Sequence, residues 1–240
     1  MKRIILCGHG QMGKRLEAAI KTSCDMELLL IVDAKNLKEL SSLHERADLV
    51  IDFSNPQSLP ALYDYVMRMK CAFLSGTTGY GEQEYCLLQK MSKQVPLMHS
   101  ANYSLGIAVF EQVLRYITPI LENDFDMEII EAHHNQKIDA PSGTAKLLLE
   151  AMDPYHRYLE VNGRSGMCGK RQQEIGVHAI RGGSVAGEHT VLYLGDNETL
   201  EIKHTANNRQ IFVNGALHAS KWLIQQKAGL YDMQDMVGGK

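Results

Sequence analysis

Two alternating patterns fill the first hundred residues. Short apolar runs at residues 4–7, 27–32, 49–53, 71–74 and 95–98 predict strands. Between them, at 11–21, 58–69 and 82–93, apolar positions return every three or four residues, as at Met12, Leu16, Ala19 and Ile20, and predict helices. Nearly continuous apolar strands that alternate with helices imply a parallel sheet covered on both faces.

The pattern changes after residue 104. Residues 106–121 predict a long helix, 125–132 a strand and 144–152 a further helix. A glycine-rich, charged connection at 162–176 leads to strand-like runs at 177–181, 188–194 and 199–205, joined by turn signals such as Arg181-Gly182-Gly183-Ser184 and Gly195-Asp196-Asn197-Glu198. Strands grouped in this way predict an α+β second domain with an open mixed sheet. Residues 209–227 are again helical, and the economical reading is a return to the first domain. The expected organisation is therefore an α/β Rossmann-like domain from 1–104 and 210–240, with an α+β domain at 105–209.

Composition narrows the function. A length of 240 residues is ample for a core, and the net charge of −3 supplies no global field for nucleic acid. An anionic ligand must therefore be held by local groups. No apolar run reaches a membrane span. Five scattered cysteines without a CxxC pair fit free thiols in a reducing cytoplasm.

Gly8-His9-Gly10-Gln11-Met12-Gly13 follows the first strand and opens the first helix. The first glycine permits the turn, the second admits a pyrophosphate and the third allows close helix packing. The helix N-terminus then faces the phosphates. Asp33 ends the second strand, where a carboxylate holds an adenosine ribose and favours NADH; Lys35, two residues on, softens that preference towards NADPH. Gly76-Thr77-Thr78-Gly79 and Ser100-Ala101-Asn102-Tyr103 follow the fourth and fifth strands, where doubly wound sheets bind ligands.

The densest chemistry lies between Glu131 and Ala145. His133 and His134 are adjacent at a strand end, so their side chains diverge and take different tasks. Lys137 adds a positive charge and a proton donor. Asp139 either orients a basic group or caps the next helix. Pro141 is expected in the first helical turn, with Ser142, Gly143 and Thr144 offering hydroxyls and backbone N–H groups to a carboxylate. Adjacent histidines do not share a helix face as metal ligands do, so no metal is expected.

Glu131-Ala132-His133-His134-x-x-Lys137-x-Asp139-Ala140-Pro141-Ser142-Gly143-Thr144-Ala145 resembles the signature of the dihydrodipicolinate reductase family. The resemblance extends over nearly the whole chain. It includes Asp52-Phe53-Ser54, Arg181-Gly182-Gly183, Gly187-Glu188-His189, the run 204–209 and the tail 229–233. Two departures are Asn207-Asn208, where members often carry serine, and Asn55, where some carry arginine.

The resemblance implies NADH- or NADPH-dependent reduction of 4-hydroxy-tetrahydrodipicolinate, a small dicarboxylate, to tetrahydrodipicolinate in lysine and diaminopimelate biosynthesis. It implies His133 as acid/base and Lys137 as proton donor, with His134, Ser142, Gly143 and Thr144 on the substrate. Gly8, His9, Gly10, Gln11, Met12, Gly13, Asp33, Phe53, Gly76, Thr77, Thr78, Ser100, Ala101, Asn102 and Tyr103 would contact the cofactor. A homotetramer built through the second-domain sheets is implied as well. Two rivals are another Rossmann oxidoreductase, such as an aspartate dehydrogenase, and a non-catalytic dinucleotide sensor. The second would need a DNA-binding element, and no basic recognition helix is present.

Overall fold

In the computed structural model, which describes residues 1–239, the chain begins β1 (Lys2–Cys7), α1 (Gln11–Lys21), β2 (Met26–Val32), the short α2 (Glu39–Ser42) and β3 (Leu49–Asp52). A 3-10 turn, Pro56–Ser58, leads into α3 (Leu59–Met69), followed by β4 (Ala72–Ser75), α4 (Glu82–Ser92) and β5 (Pro96–His99). Then come α5 (Leu105–Leu121), β6 (Asp126–His133), α6 (Gly143–Met152), β7 (Leu159–Asn162), β8 (Glu174–Arg181), β9 (Gly187–Leu194) and β10 (Thr199–Ala206). The chain continues through α7 (Gln210–Leu223), β11 (Gly229–Tyr231) and α8 (Met233–Gly238).

One unit comprises Met1–Leu105 together with the chain from Gln210 on. Its six strands form a wholly parallel sheet in the order β11-β5-β4-β3-β1-β2. Every side chain of β3 and β4 is buried, as strands covered on both faces require. Helix α1 buries Gly13, Leu16 and Ile20 on one stripe. Each of the two larger side chains contributes about 1.5–3 kcal/mol by leaving water. Helix α7 packs on α1, β4 and β5, and β11 pairs in parallel with β5 at the sheet edge.

The second unit, Gly106–Arg209, carries a mixed sheet in the order β10-β9-β6-β8-β7. Strands β7, β8 and β6 run parallel, whereas β9 and β10 pair antiparallel. Its apolar face presents Met127, Ile129, Ile175, Val177, Val191 and Tyr193 to the same core as Phe110 and Leu114 of α5 and Leu148 of α6. On the opposite face Glu128 is gripped by Arg164, at 3.0 and 2.9 Å, by Arg171 and by His178 Nε2 at 2.6 Å.

Several details differ from the sequence expectation. The connection expected at 162–176 is shorter, because β7 precedes it and β8 begins at Glu174. Strand β7 buries little, so it leaves no apolar trace. Gly176 looks like a loop residue, yet it is a strand position across which the Glu128 carboxylate lies; a Cβ there would sit 1.8 Å from Oε2. Helix α7 stops at Leu223, short of the expected 227.

Candidate active site

Strand parity builds the centre of the second unit. Met127 and Ile129 of β6 point into its core, and the same alternation puts Glu131 and His133 on that face two and four residues on. Glu131 is fully buried. Its Oε2 lies 2.6 Å from His133 Nδ1. Arg181, opposite His133 in the ladder, donates to both carboxylate oxygens at 2.8 and 2.7 Å, and the Ser142 N–H donates to Oε1 at 3.0 Å. Burial alone would raise the Glu131 carboxyl, but Arg181, His133 and the Ser142 amide outweigh it and hold it below the usual range. An ionised carboxylate only accepts, so the proton of that bond sits on His133 Nδ1.

His189 of β9 stands opposite Glu131, and His204 of β10 stands opposite His189. The His133 and His189 rings meet edge to face at 5.1 Å. Burial, with the neighbouring His133, pushes His189 down to about 4. It is a neutral ring that shares a 3.1 Å hydrogen bond with Ser142 Oγ. The same hydroxyl accepts from the Ala145 N–H at 3.1 Å, so Ser142 is the N-cap of α6. Pro141 therefore lies outside the helix, before the cap, rather than in its first turn. Asp139 does not cap it either, since its Oδ1 pairs with Lys137 Nζ at 2.9 Å.

The segment that carries Lys137 is pinned at several points. Gly182 N–H donates to the His133 carbonyl at 2.9 Å, Asn135 N–H to the Gly183 carbonyl at 3.2 Å, and Arg181 to the Asp139 carbonyl at 2.6 Å. His134 is half-buried, diverging from buried His133. Gly143, at the start of α6, is exposed with open space where a side chain would stand, and Thr144 beside it is half-buried. The result is a buried acid–imidazole pair, an ammonium and an open helix N-terminus in one unit.

The first unit brings its own turns to the carboxyl ends of its strands. Gly8 adopts φ 96°, and a Cβ at Gly13 would lie 2.0 Å from the Gly8 carbonyl oxygen. Gly10 faces open space and caps α1 with no side-chain bond, so the first N–H groups of that helix are left for an incoming phosphate. His9 and Gln11 are exposed and Met12 half-buried, with His9 Nε2 2.8 Å from Glu17 Oε2. Asp33 Oδ1 accepts from the Lys35 N–H at 2.8 Å and leaves the other oxygen to a ribose. These residues fit a dinucleotide.

Gly76, Thr78, Ser100, Ala101 and Asn102 lie in the loops after β4 and β5, all at least half-buried or exposed, while Phe53 follows β3. Thr77 and Tyr103 are buried; the Tyr103 hydroxyl donates to the Ser75 carbonyl at 2.8 Å, so its side chain serves the scaffold. Among the described residues no group of three or more His, Cys, Asp or Glu is arranged to hold a metal ion. Sequence reasoning assigned no role to Glu131, Arg181 or His189. Parity two residues before His133 would have found Glu131. The two others needed the strand register.

Two family models match the chain: "Dihydrodipicolinate reductase, N-terminus" over residues 2–103 and "Dihydrodipicolinate reductase, C-terminus" over residues 106–237. The second match runs past Arg209 into the segment that packs with the first unit. A 4-hydroxy-tetrahydrodipicolinate reductase of Clostridium tetani is 42% identical, covering 99% of this chain and 97% of its own. One of Brachyspira hyodysenteriae is 38% identical, covering 98% and 99%. Among solved structures, a dipicolinate-bound dihydrodipicolinate reductase from Paenisporosarcina sp. TG-14 superposes with a TM-score of 0.80 at 18% identity, covering 97% of each chain.

Proposed function

The chain belongs to the dihydrodipicolinate reductase family, and from that premise we propose a division of labour among its residues. The activity is NAD(P)H-dependent reduction of 4-hydroxy-tetrahydrodipicolinate to tetrahydrodipicolinate, a step of lysine and diaminopimelate biosynthesis.

Gly8–Gly13, Asp33, Phe53, Gly76–Thr78 and Ser100–Tyr103 would hold the reduced nicotinamide nucleotide, which would supply a hydride. The substrate ring loses its 4-hydroxyl and a C3 proton as water; hydride addition at C4 of the resulting conjugated ring then leaves an electron-rich, enamine-like nitrogen and C3, and C3 must gain a proton. His133 is the acid. Its Nδ1 is committed to Glu131 at 2.6 Å, so Nε2 is the atom that exchanges protons. The Glu131 carboxylate stabilises the charged imidazole and keeps the ring oriented. This one hydrogen bond carries the reading.

Lys137 is a second donor and a counter-charge for a substrate carboxylate. Ser142, Gly143 and Thr144 present the start of α6 to a carboxylate, and His134 flanks it. The first unit is the dinucleotide-binding domain and the second holds the substrate.

The assembly is a homotetramer formed through the open face of the second sheet, and the enzyme works in the cytoplasm. Exposed Ile180 and Leu194 share that face with the Glu128–Arg164–Arg171–His178 cluster and support the assembly, since exposed large apolar side chains gain by burial against a partner. Light scattering of the purified protein tests it. The activity test is a coupled assay in which the aldol product of pyruvate and aspartate semialdehyde is supplied and NADH and NADPH absorbance are followed separately. Consumption of neither nucleotide would overturn the reading.

A further inference from the structure

Asp52 is a buried acid to which the reaction gives no task. It ends β3, is completely inaccessible to solvent, and no cation pairs with it among the described residues. Burial pushes its carboxyl above the usual range against the pull of the surrounding hydroxyls. A carboxyl in such a place is costly unless its hydrogen bonds are complete. Here they are supplied from three places in the chain. Ser54 Oγ, on the loop after β3, donates to Oδ1 at 2.5 Å. Ser75 Oγ, ending β4, donates to Oδ2 at 3.2 Å, and Tyr80 OH, just before α4, at 3.0 Å. The Ser75 and Tyr80 hydroxyls lie 2.7 Å apart, so their two protons are shared among these three contacts.

These bonds continue into the turns at the carboxyl edge of the sheet. The Ser54 N–H donates to Thr77 Oγ1 at 2.9 Å, and Thr77 N–H to Ser75 Oγ at 3.3 Å. Thr77 O is 3.1 Å from His99 Nε2, which ties in the end of β5. The Phe53 ring packs on Gly76 and meets Tyr103 at 5.5 Å. One buried carboxyl thus fixes the loop after β3 against the loop after β4, the edge at which a doubly wound sheet receives its dinucleotide.

We propose that Asp52 is a positioning residue for the cofactor: through Ser54, Ser75 and Tyr80 it holds the Phe53–Ser54 and Gly76–Thr78 turns in the shape that receives the nicotinamide half. The proposal rests on the first unit being the dinucleotide-binding domain. It does not depend on the roles given to His133 and Lys137.

The test uses D52N, which keeps shape but puts an amide donor where a hydroxyl donates, and Y80F, which removes a single donor. The dissociation constant for NADH, KM for each substrate, kcat, dipicolinate binding and the thermal midpoint are measured on the intact enzyme. D52N is expected to raise the NADH dissociation constant and KM about tenfold, with dipicolinate binding changed less than twofold. Y80F is expected to move the same constants in the same direction by a smaller factor. A folded D52N that binds NADH as the parent does overturns the proposal. So does a lowered thermal midpoint with unchanged nucleotide binding. If D52N does not fold, Y80F decides alone, and parental NADH affinity there overturns the proposal. Failure of the parent enzyme to bind any nicotinamide nucleotide would instead sink the functional reading.

Discussion

Arg181 holds both oxygens of Glu131, at 2.8 and 2.7 Å, while Glu131 in turn holds Nδ1 of His133. The guanidinium therefore acts on the imidazole through a carboxylate. Glu131→Gln keeps the volume and removes the charge. It is expected to lower kcat roughly 10- to 100-fold, a part of the about 10²–10⁴ that a positioned acid contributes. His133→Ala should remove most of that contribution, and Lys137→Ala should cut turnover as well. Nucleotide fluorescence should show NADH binding nearly intact in all three. Equal loss of cofactor affinity would contradict these roles.

Glu128 predicts an acid limit to stability. Burial would raise its carboxyl, but Arg164, His178 and Arg171 bring it down from 4.5 to about 2. A depressed carboxylate contributes stability above its unfolded value, and that contribution drains away as pH falls from about 4.5 towards 2. The shift corresponds to on the order of 3 kcal/mol. Urea melts of the parent and of Glu128→Gln should differ most near pH 7, with the gap closing below pH ~4. A gap independent of pH would refute this.

His189 acts in a higher window. Its folded value, pushed down to about 4, lies below the ordinary 6.5, so the unfolded chain binds the proton more readily. The neutral ring is harmless above 6.5, and stability falls as pH drops from there to about 4. His189→Gln should flatten the pH dependence of the melting midpoint across that interval, whatever it does to stability at pH 8. An unchanged slope would rule out a neutral, buried His189 as its source.

The proposed contact of Asp33 with the cofactor is tested by nucleotide choice. A carboxylate that holds the ribose at this position would meet a 2′-phosphate with a second negative charge, and Asp33 Oδ1 accepts from the Lys35 N–H. Asp33→Asn keeps the turn and removes the repulsion. The kcat/KM ratio of NADPH to NADH should rise about tenfold, or ~1.4 kcal/mol. Steady-state rates with each nucleotide check this, and an unmoved ratio would place the selectivity elsewhere.

The first sheet is readable in the sequence because its strands are buried on both faces, so Leu49–Asp52 and Ala72–Ser75 appear as apolar runs. The two shortest edge strands lack that imprint. Leu159–Asn162 is mostly exposed, and Gly229–Tyr231 has three residues in which to show any period. At the site, the glycine turn and the Ser142-Gly143-Thr144 entry are legible because local backbone geometry dictates their residue types. His189 is not, because its meaning comes from standing opposite Glu131 across β6 and β9. The Asp52 network escapes for the same reason: Ser54, Ser75 and Tyr80 meet only once β3 and β4 are paired.

Strand Gly229–Tyr231 completes the margin of the first sheet beside Pro96–His99, yet the ribosome makes it after all of Gly106–Arg209. During synthesis the first five strands must wait, with the flank of Pro96–His99 unpaired, while the inserted unit is polymerised. The inserted unit has no such dependence, since its five strands are contiguous in the message. It can finish folding first, and the half translated earliest is the half that matures last.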